Sequence, residues 1–327
     1  MARRFGIIGA GIAGLTAARL LRDRGHAVLV LDKGRRPGGR ASTRAIEGVS
    51  FDHGPPWFAI TDPAFRSFLD ASVASPCLAA WHGRFARLES GRLIPETPEI
   101  PRFVGVPGMG AIGRALAEGV DVRVSVHADR LERSADAWTV LDRDGASFGP
   151  FDAVIVTAPP AQAASLLRGH SSMAATLEPV PMAVCFSWMI APEGGTVLPF
   201  DGIRCDHPVL RWASNEQSKL GRAASPALVV QADHAWSGAH RDRKPSEIVG
   251  HLRSAVEEAF ALRLGPARVE SLHRWLFAQS IEPLGRPCLI DADARLAACG
   301  DWAWGGSIEG AFQSGSACAR ALIEAFA

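Results

Sequence analysis

The stretch from Phe5 to Asp32 constrains the fold more than any other part of the chain. Residues 5–8 are a short apolar run, and Gly9, Gly11 and Gly14 follow directly in the G-x-G-x-x-G spacing. Gly9 suits the tight turn, Gly11 lets a pyrophosphate approach the backbone, and Gly14 lets a helix pack closely on the sheet. The helix expected over residues 12–24 points its unpaired amides and dipole at the phosphates. Gly25 ends it. Residues 27–31 form a second buried strand, and Asp32 at its carboxyl end is placed to accept hydrogen bonds from an adenosine ribose. Strand, glycines, helix, strand and acid in register predict an α/β domain that holds an adenine dinucleotide. Gly38-Gly39-Arg40 follows at once.

The rest of the chain is long enough for a second domain: 327 residues, 47% hydrophobic and 21% charged. A net charge of +1 gives no long-range field, which argues against nucleic acid and anionic membranes as partners. No apolar run reaches the roughly 20 residues of a bilayer span. Arg3-Arg4-Phe5 resembles a twin-arginine export signal, but cleavage there would remove the fingerprint, so a soluble cytoplasmic protein is expected. A small-molecule substrate is expected as partner, and the oligomeric state is left open. The ten histidines show no metal-ligand spacing, so no metal is assigned. Cys77, Cys185, Cys205, Cys288, Cys299 and Cys318 include no C-x-x-C pair and read as reduced, mostly buried thiols. With no tyrosine in the chain, no phenol serves as acid, base or oxyanion donor.

Past the first unit, Asp62 and Pro63 are placed to cap and start a helix. A hairpin is expected over 81–93, a helix over 111–118, and strands over 121–126, 137–142, 146–151 and 153–157, with a helix at 161–167. From about Pro179 the pattern becomes strand alternation, with Val184, Phe186, Trp188 and Ile190 on one face and Ala183, Cys185, Ser187 and Met189 on the other. Further strands are expected over 209–213, 227–232 and 269–277, with a helix over 246–262 capped by Ser246. Near the carboxyl end a short strand stops at Gly300-Asp301 and a helix starts at Ile308 or Glu309.

Gly38-Gly39-Arg40 resembles the mark of flavoproteins of the amine oxidase and phytoene desaturase group, where the arginine lies near the FAD pyrophosphate. The segment CGDWAWGGSIEGAFQSG resembles the flavoprotein G-D motif, whose aspartate holds the FAD ribityl or pyrophosphate. With FDHGPPWFAITDPAF, these motifs make the chain similar to bacterial renalase-type flavoproteins over nearly its full length. The resemblance implies non-covalent FAD and the fold of p-hydroxybenzoate hydroxylase and monoamine oxidase: an α/β Rossmann-like FAD-binding domain with an inserted α+β substrate domain on a mainly antiparallel sheet. The first is expected from residues 1–75, 101–160 and 286–327, the second from 76–100 and 161–285. The implied reaction is oxidation of a dihydronicotinamide isomer with oxygen as acceptor. An amine oxidase, or a flavin-binding redox sensor without turnover, is the alternative.

The expected cofactor contacts are Gly9, Gly11, Ile12, Ala13, Gly14, Asp32, Lys33, Gly39, Arg40, Ser42, Thr43, Pro56, Ala128, Asp301, Ser307 and Ile308. Substrate-side candidates are Trp57, Phe58, His234, Trp275, Trp302 and Trp304, each with core packing as its competitor. No catalytic residue is assigned, because flavin N5 is the implied hydride acceptor. Pro55-Pro56-Trp57 stands where the family usually has Ala-Gln-Tyr, and Leu276 and Phe277 stand where relatives often carry Arg and Tyr, which leaves the substrate open. A second match to the glycine pattern, Gly108 to Gly113, offers a separate NADPH domain as an alternative, but Pro107 removes a backbone donor at its turn.

Overall fold

The computed structural model describes residues 1–73 and 77–325. The sequence boundary between 75 and 76, and the last two residues, lie outside them. A six-stranded sheet carries the fingerprint, in the order Leu289–Asp291, Leu296–Ala298, Ala153–Val156, Arg4–Ile8, Ala27–Asp32, Asp121–Val124. All neighbours are parallel except the first pair. Strands buried on both faces have no polar alternation, and Ala153–Val156 is buried at every position. Helices Ile12–Asp23 and Ile308–Ala325 cover one face and pack together closely enough that a side chain on Gly315 would run into the Ala13 carbonyl.

The second sheet has seven strands, in the order Ala267–Ser280, Met182–Pro192, Leu228–Ala232, Leu210–Asn215, Gly202–Cys205, Phe85–Glu89, Arg92–Glu96. Its pairs are antiparallel except Gly202–Cys205 with Phe85–Glu89. The alternation along Met182–Pro192 separates two faces. Phe186, Trp188 and Ile190 pack with Ile248, Leu252 and Val256 of helix Pro245–Ala259. Met189 and Ala191 pack with Val49 and Phe51 of the hairpin Arg44–Ile46/Val49–Phe51. The sheet is thus sandwiched, and its second face looks onto the segment that follows the fingerprint.

The cap expected at Ser246 is replaced by Lys244, because Pro245 already occupies the first helical position. The hairpin lies at 85–96, around the Ser90-Gly91 turn, rather than at 81–93. Strands Ala128–Ser134 and Gly202–Cys205 and helices His234–Ala239 and Asp301–Trp304 are additional elements. Among the described residues no helix is long and apolar enough to cross a membrane.

Candidate active site

The fingerprint turn is built from the backbone. Gly9 has φ +115°, and a side chain there would run into Thr157 Oγ1, whose hydroxyl donates to the Ile8 and Gly9 carbonyls at 3.0 Å. A side chain on Gly14 would strike the Gly9 carbonyl, so helix and turn touch without one. Gly11 is the opposite case: an added Cβ there meets nothing within 4 Å. No side chain caps helix Ile12–Asp23, which leaves its first amides and dipole facing that open side. Gly38 donates to the Ala10 carbonyl at 2.8 Å, and Gly39 lies against Gly11. Ser42 Oγ is buried close by without a partner. Open space over a glycine, an uncapped helix start and an orphaned hydroxyl fit a dinucleotide pyrophosphate.

Asp32 does more than the sequence indicated. Its Oδ2 accepts from Ala10 N at 2.5 Å and its Oδ1 from Gly34 N at 2.6 Å, so this carboxylate ties the fingerprint to the next loop. Arg40 and Asp301, far apart in the chain, form a bidentate pair, one nitrogen at 2.9 Å, and Arg40 also donates to the Ala278 carbonyl at 3.1 Å. Ser307 caps the carboxyl-terminal helix by accepting from Gly310 N at 2.9 Å. Glu309 accepts from Thr61 N and Asp62 N at 2.7 and 3.0 Å, which fixes this helix start against the loop before helix Pro63–Ser72.

Joined to the cradle where Arg40 meets the Ala278 carbonyl is a polar wall. The edge strand Ala267–Ser280 runs beside residues 40–53: Trp275 Nε1 donates to the His53 carbonyl at 2.7 Å, and Arg44 reaches Ser271 Oγ at 3.2 Å and His273 Nδ1 at 3.4 Å. His53 stacks on Trp275 and meets His273 edge-on, with centroids 5.1 and 5.0 Å apart. Ser187 is in register with His273 on one side and Gln231 on the other, so all three project from the face turned toward this segment. Ser187 Oγ and His53 Nδ1 are buried without partners, and Gln231 donates to the Gly54 carbonyl. Burial, then the neighbouring His273 and Arg44, pushes His53 down to about 4. Burial and Arg44 do the same to His273, so both rings are neutral at pH 7. Among the described residues Arg44 has no carboxylate partner.

Cradle and wall meet at a buried charge cluster. Asp52 accepts from Thr43 Oγ1 at 2.7 Å and Met109 N at 2.9 Å, and pairs with Lys219 at 3.4 Å and with Arg222. Lys219 also pairs with Glu216 at 2.7 Å, and Glu216 accepts from Asp52 N at 3.0 Å. Burial alone would raise Asp52, but the two cations and these hydrogen bonds hold it below the usual carboxylate range. Asp52, the carboxylate that acts on His53, is therefore already neutralised.

The other candidates are scattered. Trp302 is fully buried and donates to the Ala158 carbonyl at 3.2 Å, and Phe58 is core against Phe65 and Phe103. A residue with almost no free surface has none to offer a ligand, so both leave the substrate side. Trp57 belongs to an aromatic cage with Phe85 and Trp212 around Arg102, whose guanidinium lies 4.7 Å from the Trp57 ring. Trp304 is 48% exposed. His234 opens a short helix capped by Asp233, and burial and Arg211 push it down to about 4. Lys33 donates to Gln162 at 2.9 Å, Ala128 starts a strand, Pro56 is half-buried and Ile308 is core. The second glycine motif is used for packing: side chains on Gly108 and Gly113 would strike Thr43 and Gly38.

Comparison with known proteins agrees with this geometry. Residues 7–72 match the NAD(P)-binding Rossmann-like domain, and residues 65–323 match the flavin-containing amine oxidoreductases. Carotenoid 3,4-desaturase of Haloarcula japonica is 44% identical over 62 residues, 19% of this chain and 12% of the desaturase, so the chain spans a small part of that relative. Two solved structures align over 99% of both chains: a putative protoporphyrinogen oxidase from Exiguobacterium sp. 255-15 (TM-score 0.77, 13% identity) and cyclohexylamine oxidase from Brevibacterium oxydans IH-35A (TM-score 0.75, 14% identity). At such identity they establish the shared fold. The family match covers well over half of the chain, and with it the chain belongs to the flavin-containing amine oxidoreductases, with FAD as its cofactor.

Proposed function

We propose that the protein is an oxidase that takes a hydride from a carbon next to a nitrogen lone pair, in a dihydronicotinamide isomer held between the cradle and the wall. When bound, non-covalent FAD supplies the hydride acceptor at N5 and passes the electrons to oxygen, giving hydrogen peroxide. The observation that carries the choice of donor is the wall's charge. Among the described residues Arg44 is a cation without a carboxylate partner, His53 and His273 are neutral, and Asp52 is neutralised by Lys219 and Arg222. Such a surface favours a neutral or anionic donor over an ammonium ion. A dihydropyridine needs no base, because its nitrogen lone pair drives hydride loss, and Ser187 and Gln231 offer hydrogen-bonding groups for a carboxamide. The helix start at Ile308 adds a dipole suited to negative charge on the pyrimidine edge. The renalase-type resemblance of the motifs supports the same reading.

A second reading, oxidation of an amine, is supported by the family match and by the fold shared with cyclohexylamine oxidase. There His53 and His273, pushed down to about 4, stay unprotonated, so the amine would arrive already deprotonated. Anaerobic mixing separates the readings. Rapid bleaching of the oxidised flavin by isomers from borohydride reduction of NAD, and not by β-NADH or amines, is expected. Bleaching by amines alone overturns the first reading in favour of the second, and a flavin that no donor bleaches points to a redox sensor.

A further inference from the structure

Three of the six cysteines converge behind the cofactor site. Strand Leu289–Asp291 runs antiparallel to Leu296–Ala298 with Leu289 opposite Ala298, so the next pair in this register is Cys288 opposite Cys299. Ser314, on helix Ile308–Ala325, donates to the Pro287 carbonyl at 2.6 Å and accepts from Gly300 N at 2.9 Å. Cys318 lies one turn further along the same helix face. Its thiol lies beside those of Cys288 and Cys299. Cys299 and Cys318 are fully buried, whereas Cys288 is partly exposed.

We propose that Cys288 and Cys318 form a peroxide-sensitive dithiol, with Cys288 the thiol that is oxidised and Cys318 the one that resolves it. Cys288 is the member of the cluster that solvent reaches, and the Cys318 thiol that donates toward it favours its thiolate. The thiolate attacks one oxygen of hydrogen peroxide, the O–O bond breaks, and a sulfenic acid and hydroxide result. The Cys318 sulfur then attacks the Cys288 sulfur and displaces water, so two thiols lose two electrons and one peroxide becomes two waters. The bond would fasten the carboxyl-terminal helix to the start of strand Leu289–Asp291, whose partner strand leads into Gly300-Asp301, and Asp301 holds Arg40 in the cradle. The oxidase reading enters only as a source of peroxide. Added reagent peroxide makes the test independent of it.

Holoenzyme is treated with hydrogen peroxide, alkylated, and digested without reductant for peptide mapping. A Cys288–Cys318 linkage that dithiothreitol removes is expected, with Cys185 and Cys205 unlinked, since burial pushes both thiols up to about 12. In Cys318→Ser, Cys288 should persist as a sulfenic acid captured by dimedone, and in Cys288→Ser neither linkage nor capture should occur. Thiols that stay free, a disulfide that omits Cys288, or dimedone capture at a different cysteine overturns the proposal. The mapping of the unmodified holoenzyme decides the matter even where a variant fails to fold.

Discussion

The cradle and the wall, joined where Arg40 reaches the Ala278 carbonyl, are built from different atoms. The cradle works through backbone: the turn at Gly9, the open side of Gly11 and the uncapped start of helix Ile12–Asp23, with Asp32 and the Arg40–Asp301 pair as ties. The wall works through side chains, Arg44 and His53 from the segment after the fingerprint and Ser187, Gln231 and His273 from three strands of the second sheet. Backbone recognition demands glycine at fixed spacing and suits a cofactor that is always the same. Side-chain recognition changes with single substitutions, and it is where a family with one cofactor diversifies its substrates.

Breaking the joint between the two regions should have the largest effect. Lys219→Met leaves Asp52 and Glu216 buried with one cation fewer, and about 3–5 kcal/mol of stability should be lost in chemical denaturation. A loss near zero would mean that the cluster does not hold cradle to wall. Gly11→Val should act on the cradle alone. Its Cβ meets no protein atom, so the melting temperature without cofactor should be unchanged while FAD affinity falls on the order of a hundredfold, read by flavin retained on purification. Protein that stays fully yellow would contradict the cradle assignment.

Acid should act on the wall. His53 and His273 have folded values of about 4 against an ordinary 6.5, so the fold binds fewer protons than the unfolded chain between these values. The stability this gives is present above 6.5 and is lost as the pH falls toward 4. A melting temperature that declines across this window, and declines less in a His53→Asn/His273→Asn double variant, is the expected result. An equal decline in both proteins would remove the histidines from the account.

The two regions also differ in how far the sequence reveals them. Strand, glycines, helix and Asp32 lie within one contiguous stretch, so their spacing is a direct record of geometry. Arg40 and Asp301 were legible through motif resemblance, but their mutual ion pair was not. The wall leaves no such record, because Arg44, His53, Ser187, Gln231 and His273 are brought together by strand register across more than two hundred residues. His53 stands inside FDHGPPWFAITDPAF and His273 in a distant strand, and nothing local marks them as neighbours. Tryptophans in the G-D motif pointed to a pocket, whereas Trp302 is consumed by the core. The cysteines teach the same lesson: no C-x-x-C spacing exists, but a strand pair and a helix bring Cys288, Cys299 and Cys318 together.

The central claim is that the wall selects its donor by charge through Arg44. The most direct test is stopped-flow reduction of the flavin under anaerobic conditions, in the unmodified protein and in Arg44→Glu, with an isomer of reduced nicotinamide mononucleotide and with a primary amine. The unmodified protein should be reduced faster by the anionic nucleotide, and the charge reversal should cut that preference by at least about tenfold with FAD content unchanged. Faster reduction by the amine in the unmodified protein, with no change on reversing Arg44, would contradict the account.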